Sequence, residues 1–111
     1  MSKLDTVLEG KTSVGIAGHV RPDGDCVGST LAVYNYIRLY YSEIDVRLYL
    51  EPIPNIFKFM AHAADIKNEY TDEIVFDLFI AEDCGDTGRL GNAAKYFENA
   101  KHTRNTEKRL C

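Results

Sequence analysis

The sequence predicts an α/β domain, a parallel sheet of three or so strands with flanking helices. Three observations predict it. Short apolar runs at 13–18, 45–50 and 74–81 alternate with stretches of helical periodicity, giving the order strand–helix–strand–helix–strand–helix. The first and third runs each lead straight into a loop rich in Gly and Asp. The chain has 111 residues, 45% hydrophobic and 27% charged, which suits one globular domain and excludes a disordered chain.

Residues 2–10 fit a short amphipathic helix closed by Gly10 as its C′ glycine. Ser13 to Gly18 (SVGIAG) reads as a buried strand running into His19. Residues 20–28 (VRPDGDCVG) carry Pro22, two Gly and two Asp, the composition of a loop, with Ser29 as the N-cap of the helix that follows. Val33, Tyr36, Ile37 and Tyr40 recur at i, i+3, i+4 and i+7 and predict its buried stripe; Asn35, Arg38 and Ser42 form the polar side. This assigns Tyr36 and Tyr40 to the core rather than to a base-stacking platform.

Asp45 to Leu50 alternates Val46, Leu48 and Leu50 inward as a strand, and Pro52 and Pro54 stop it. Residues 55–69 predict one or two short helical pieces. Ile74 to Ala81 (IVFDLFIA), broken only by Asp77, predicts a central strand that delivers Asp83 into the loop DCGDTGRLG. Residues 92–100 predict a last helix.

Charge excludes several functions. Residues 1–100 hold nine basic and 16 acidic side chains, whereas the last eleven hold four basic and one acidic. An acidic body lacks the basic footprint that duplex DNA requires, but it suits divalent cations. No apolar run is long enough to span a membrane. Cys26, Cys84 and Cys111 are odd in number and lack CxxC spacing, so a disulfide framework is not expected and a reducing cytoplasm is the default compartment.

The chemistry concentrates in the loop after the first strand. His19, Asp23 and Asp25 put an imidazole and two carboxylates within seven residues, donors that suit a hard or borderline divalent ion. A bend at Gly24 lets the two carboxylates converge, and Asp83 arrives from the neighbouring strand end. Two ions ~3.5–4 Å apart can activate a water and stabilise the leaving oxygen of a phosphoester. Gly28 and Ser29 are expected to open a helix, whose free N–H groups favour a nearby phosphate. Taken alone, the loop is equally a solvent-exposed turn with Asp23 and Asp25 as turn formers. Val27 and Tyr34 at ligand positions rule out an EF-hand. Gly85, Gly88 and Gly91 have neither P-loop Lys nor GxGxxG spacing, so Asp86 and Arg89 are read first as shaping that loop.

Together, HVRPDGDCVGSTLAV (19–33) and DLFIAEDCGDTGRLG (77–91) resemble the first two motifs of the DHH phosphoesterases. That family includes RecJ-like exonucleases, oligoribonucleases that also act on 3′-phosphoadenosine-5′-phosphate, and cyclic-dinucleotide phosphodiesterases. The resemblance covers roughly residues 12–102. It implies a doubly wound parallel sheet, followed in the family by a smaller substrate-binding domain. It also implies two manganese ions, with magnesium as the alternative. His19 and Asp23 would hold one ion, Asp25 the second, and Asp83 would bridge both; Asp83 and Asp25 would be catalytic. Gly28, Ser29, Asp86 and Arg89 would lie near the phosphate of a nucleotide or short single-stranded oligonucleotide substrate.

The family's Asp-His-His motif is expected within a few residues of His102, where this chain reads HTRNTEKRLC. The domain expectation is therefore a partial DHH N-terminal domain at 1–102 and a basic, non-homologous tail at 103–111. Weak metal binding and negligible turnover are expected of this chain alone. Self-association is expected where the run 74–81 lies at an uncovered sheet edge. The alternative function is a non-catalytic interaction or regulatory fragment that keeps only the α/β scaffold.

Overall fold

The structure, a computed structural model, describes residues 8–18, 24–50, 65–67, 69–82 and 93–106. Its elements are β1 (Ser13–Ala17), α1 (Gly24–Tyr40), β2 (Asp45–Tyr49), β3 (Leu78–Glu82), α2 (Ala94–Asn99) and β4 (His102–Thr106). The four strands form one sheet in the order β2-β1-β3-β4, and every pairing is parallel. The expected α/β class holds, with one strand more than the three read from apolar runs.

Strand alternation builds two cores, one on each face of the sheet. Val14, Ile16, Leu48, Leu78 and Ile80 point to one side and meet Leu31, Tyr34 and Ile37 of α1. Ala17, Tyr49, Phe79 and Ala81 point to the other and meet Phe76, Ala93 and Tyr96. This second face is aromatic: the Tyr49 ring stacks on Tyr96 at 4.8 Å and on Phe79 at 6.5 Å, and Phe76 meets Tyr96 edge-on at 5.7 Å. Such pairs add about 0.5–1.5 kcal/mol each beyond their area burial. Gly15 sits under this layer.

Four expectations change here. Helix α1 begins at Gly24, so Gly28 and Ser29 lie inside it rather than at its mouth. The acidic sequence Asp23-Gly24-Asp25 favours an earlier start, because negative charge is stabilising at a helix N-terminus. The buried stripe is Leu31, Tyr34 and Ile37 with Thr30; Val33 and Tyr36 pack at its margin and Tyr40 is exposed. Apolar residues occur all around this helix, so two stripes fit its periodicity and the sheet selects one.

The third change concerns the run 74–81. Only its second half is strand, and β3 is paired on both sides, by β1 and by β4. The run does not lie at the uncovered edge expected of it: among the described residues the edge strands are β2 and β4. The fourth concerns residues 102–106, which form β4 where a tail from 103 was expected. Its sequence, His-Thr-Arg-Asn-Thr, is polar and charged, which suits an edge strand that discourages stray pairing. Other expectations hold. Gly10 adopts φ 75 after buried Leu8, while residues 2–7 of the expected first helix lie outside the described residues; the last helix falls within 92–100. The helical pieces expected at 55–69 lie almost wholly outside the described residues.

Asp77, the one polar interruption of its run, ties three strands together at their amino ends. Its carboxylate accepts the Thr12 backbone N–H at 2.8 Å and the Thr12 hydroxyl at 2.6 Å, and Lys101 stands at 3.6 Å. Its own N–H donates to Ser13 Oγ at 3.0 Å, and its carbonyl accepts the His102 N–H at 3.0 Å. The Thr12 hydrogen bonds hold the carboxyl at about 2. A depressed folded value stabilises the fold above the unfolded carboxyl range near ~4, and that contribution fades as pH falls from about 4 to about 2. Asp77→Ala should lower stability by about 1–2 kcal/mol, the low end for bonds to a charged group because the site is partly solvated. Urea melts at pH 7 and pH 2.5 check this: the gap between wild type and variant should shrink at the lower pH.

Candidate functional site

The doubly wound topology has its switch point between β1 and β3. From β1 the chain turns one way to β2, then crosses back to β3 on the other flank of β1 and continues outward to β4. Ligands in open α/β sheets gather in the crevice outside the carboxyl ends of the strands at such a point. In the parallel register Ala17 stands beside Ala81, so β1 and β3 finish at one edge of the sheet. His19 and Asp83 follow those two alanines at equal remove in the sequence.

The N-terminus of α1 belongs to the connection that leaves β1. Asp25 is the second residue of α1 and Asp23 directly precedes its first. An α-helix exposes unpaired N–H groups in its first turn, an environment that holds carboxylates ionised. His19, Asp23, Asp83, Asp86 and Arg89 lie outside the described residues, and Asp25 and Ser29 are described as backbone positions only. The structure thus sets the ends of β1 and β3, which His19 and Asp83 follow in the sequence, side by side. Among the described residues no group of three or more His, Cys, Asp or Glu is gathered as a metal site would require. Gly28 lies in the second turn of α1, and a Cβ built there would meet nothing within 4 Å. That position is open, although it does not supply the helix mouth expected of it.

A second polar cluster, not foreseen from the sequence, lies beside the carboxyl end of β2. Asp72 accepts the Tyr49 hydroxyl at 2.6 Å, with Arg47 at 3.3 Å and Lys67 at 3.6 Å. The Tyr96 hydroxyl donates to the Asp72 carbonyl at 2.9 Å. Burial and the Asp72 hydrogen bond push the Tyr49 phenol up, so it stays a protonated donor. The same bond, with Lys67 and Arg47, holds the Asp72 carboxyl below the usual carboxylate range. The cluster anchors the segment before β3 onto the aromatic core. Asp72 sits in a polar stretch with no motif around it, so no sequence signal marked it.

Asp77 was the one polar interruption of the apolar run 74–81. It lies at the opposite end of the sheet from Ala17 and Ala81 and serves the fold. No helix among the described residues is long and apolar enough to cross a membrane.

The crystal structure of an exopolyphosphatase-related protein from Bacteroides fragilis is similar over 99% of this chain, with a TM-score of 0.81 at 21% identity. At that identity the likeness is one of fold, and this chain spans 34% of the length of that protein. No curated protein matches the chain. Residues 13–108 match the DHH family, N-terminal domain. With that match across most of its length, and with the sheet and switch point described above, the chain belongs to the DHH family through its N-terminal domain.

Proposed function

We propose that this chain is the N-terminal part of a metal-dependent phosphoesterase. Its substrates would be small nucleotides or short single-stranded oligonucleotides. The observation that carries the reading is the side-by-side ending of β1 and β3 at the switch point, with the start of α1 in the same connection. That arrangement supports a shared cationic pocket for His19, Asp23, Asp25 and Asp83. One imidazole and three carboxylates fit a hard or borderline divalent ion, manganese first and magnesium as the alternative. When bound, such ions supply Lewis acidity toward a water and toward the leaving oxygen of a phosphoester.

The residues of the chain have separate tasks in this reading. Asp83, which directly follows the central strand β3 in the sequence, is proposed to face both ions. His19 and Asp23 complete one side and Asp25 the other, with the N-terminus of α1 lending partial positive charge to the carboxylates. Arg89 and Asp86 follow β3 in the sequence and are proposed to face the phosphate and shape its approach. Two six-coordinate ions need ~12 positions, of which four side chains fill few. Weak metal binding and negligible turnover by this chain alone are therefore proposed.

Titration calorimetry with manganese chloride tests the reading. Wild type should show saturable binding, and Asp23→Ala should weaken it by at least the ~10–100-fold that even outer-shell partners of a metal are worth. Equal binding by both proteins would refute the site. Robust hydrolysis of a phosphodiester by the wild type, abolished by Asp83→Ala, would refute the inactivity.

A further inference from the structure

We propose that two copies of this chain associate through the outer edge of β2, in an antiparallel pairing centred on Val46. The backbone sets the possibility. Asp45 N–H donates inward to the Thr12 carbonyl at 3.0 Å, so the odd-numbered residues of β2 serve β1 and the even-numbered ones face outward. Among the described residues that outer edge is capped only further along, where Lys67 pairs with the Leu48 carbonyl at 2.8 Å and the Leu50 N–H at 3.2 Å. Among the described residues nothing pairs with the N–H and C=O of Val46, one donor and one acceptor on the edge. They can be satisfied together by the same residue of a second copy.

Charge selects the occupant. Arg47 and Asp45 lie on one face of the strand and already pair at 2.9 Å. A two-fold axis at Val46 sets Asp45 opposite the other copy's Arg47, and Arg47 opposite the other copy's Asp45. The four charges then alternate in sign around a quadrilateral, in the close, non-hydrogen-bonded position of an antiparallel pair. The other edge has no such match. In β4 the even-numbered residues face β3, as His102 N–H to the Asp77 carbonyl shows. Self-pairing registers then set Arg104 against His102, Thr106 or its own copy, and no acid meets it.

Two surface features lie on the same path. A shallow groove of about 250 Å³, lined by Arg38, Ser42, Ile44, Asp45 and Val46, flanks the open part of β2. Leu39 and Tyr40, 72% and 65% exposed, close α1 just before it. Because the axis is perpendicular to the sheet, both copies of α1 fall on one face of the joined sheet. An isologous contact of this kind closes as a dimer and does not propagate.

Sedimentation velocity over a concentration series tests the pairing on the full chain. Wild type should move from monomer to dimer with rising concentration. Val46→Pro removes the outward N–H without touching the β1 ladder, and Asp45→Arg sets like charges across the axis. Each should weaken dimerisation roughly tenfold or more while circular dichroism stays as in wild type. Arg47→Asp should do likewise, and an equimolar mixture of Asp45→Arg and Arg47→Asp chains should recover a dimer, because every cross-axis pair is again opposite in sign. Thr103→Pro, on β4, should behave as wild type. A wild type that stays monomeric throughout overturns the proposal. So does a dimer that survives Val46→Pro, or a mixture that recovers nothing.

Discussion

Gly15→Ala should be among the most destabilising single substitutions in this chain. A Cβ at Gly15 would stand 2.4 Å from both Phe79 Cδ2 and Cε2, and 3.1 Å from Phe76 Cδ2. Gly15 belongs to β1, which is hydrogen-bonded on both flanks, so its backbone has nowhere to retreat. Phe79 is equally held, between Tyr49, Phe76 and Tyr96. Overpacking in well-filled cores costs about 1–3 kcal/mol, and this site belongs at the upper end. In a chain of this size that corresponds to a fall in Tm of roughly 10 °C. The partner variant separates the cause from a general strand effect. Phe79→Leu removes the ring edge that the new methyl meets, so Gly15→Ala should cost less in that background. Thermal melts of the four proteins check both statements, and strictly additive losses would contradict the packing account.

The second large effect is on metal affinity. Asp83→Ala and Asp23→Ala should each reduce manganese binding by at least ~10–100-fold. The double variant should lose far less than the product of the two, because either change alone already empties the shared pocket. Groups that serve one ion are coupled, whereas groups far apart behave additively. Calorimetric titration of the four proteins gives the coupling. Without metal, the melting temperature of Asp83→Ala should be little changed, whereas Asp23→Ala should cost about 0.5–2 kcal/mol of its own, since Asp23 directly precedes α1. A full additive loss would place the two carboxylates in separate environments.

Much of the architecture was legible because apolar alternation and glycine-rich loops report the interior strands directly. Val14 and Ile16, Leu48 and Leu50, and Leu78 and Ile80 all carry the pattern that a buried strand must show. Strand β4 was not legible, for a physical reason: an edge strand gains little from burial, and His-Thr-Arg-Asn-Thr reads as a polar tail. The onset of β3 was misplaced because Ile74 and Phe76 are core residues without being sheet residues. Asp77 fixes the true start by pairing its side chain with Thr12 and its N–H with Ser13.

The start of α1 was hidden by Gly24 and Gly28, which read as loop even though Gly24–Tyr40 is helix. The candidate site was legible at the level of elements. The strand ends and their adjacency follow from element order and a parallel sheet, whereas the helix mouth was placed too late at Gly28 and Ser29. The anchoring cluster around Asp72 was not, because its partners come from three separate stretches of chain.

The measurement that tests the central claim most directly is paramagnetic broadening of backbone amide signals by manganese in the isotope-labelled protein. The account predicts early loss of the Gly18, Asp25 and Glu82 signals together, since they would border the proposed pocket at the ends of β1, α1 and β3. Thr12, Asp77 and His102, at the other end of the sheet, should keep theirs. Broadening confined to one of the three elements, or spread evenly along the acidic surface, would contradict it.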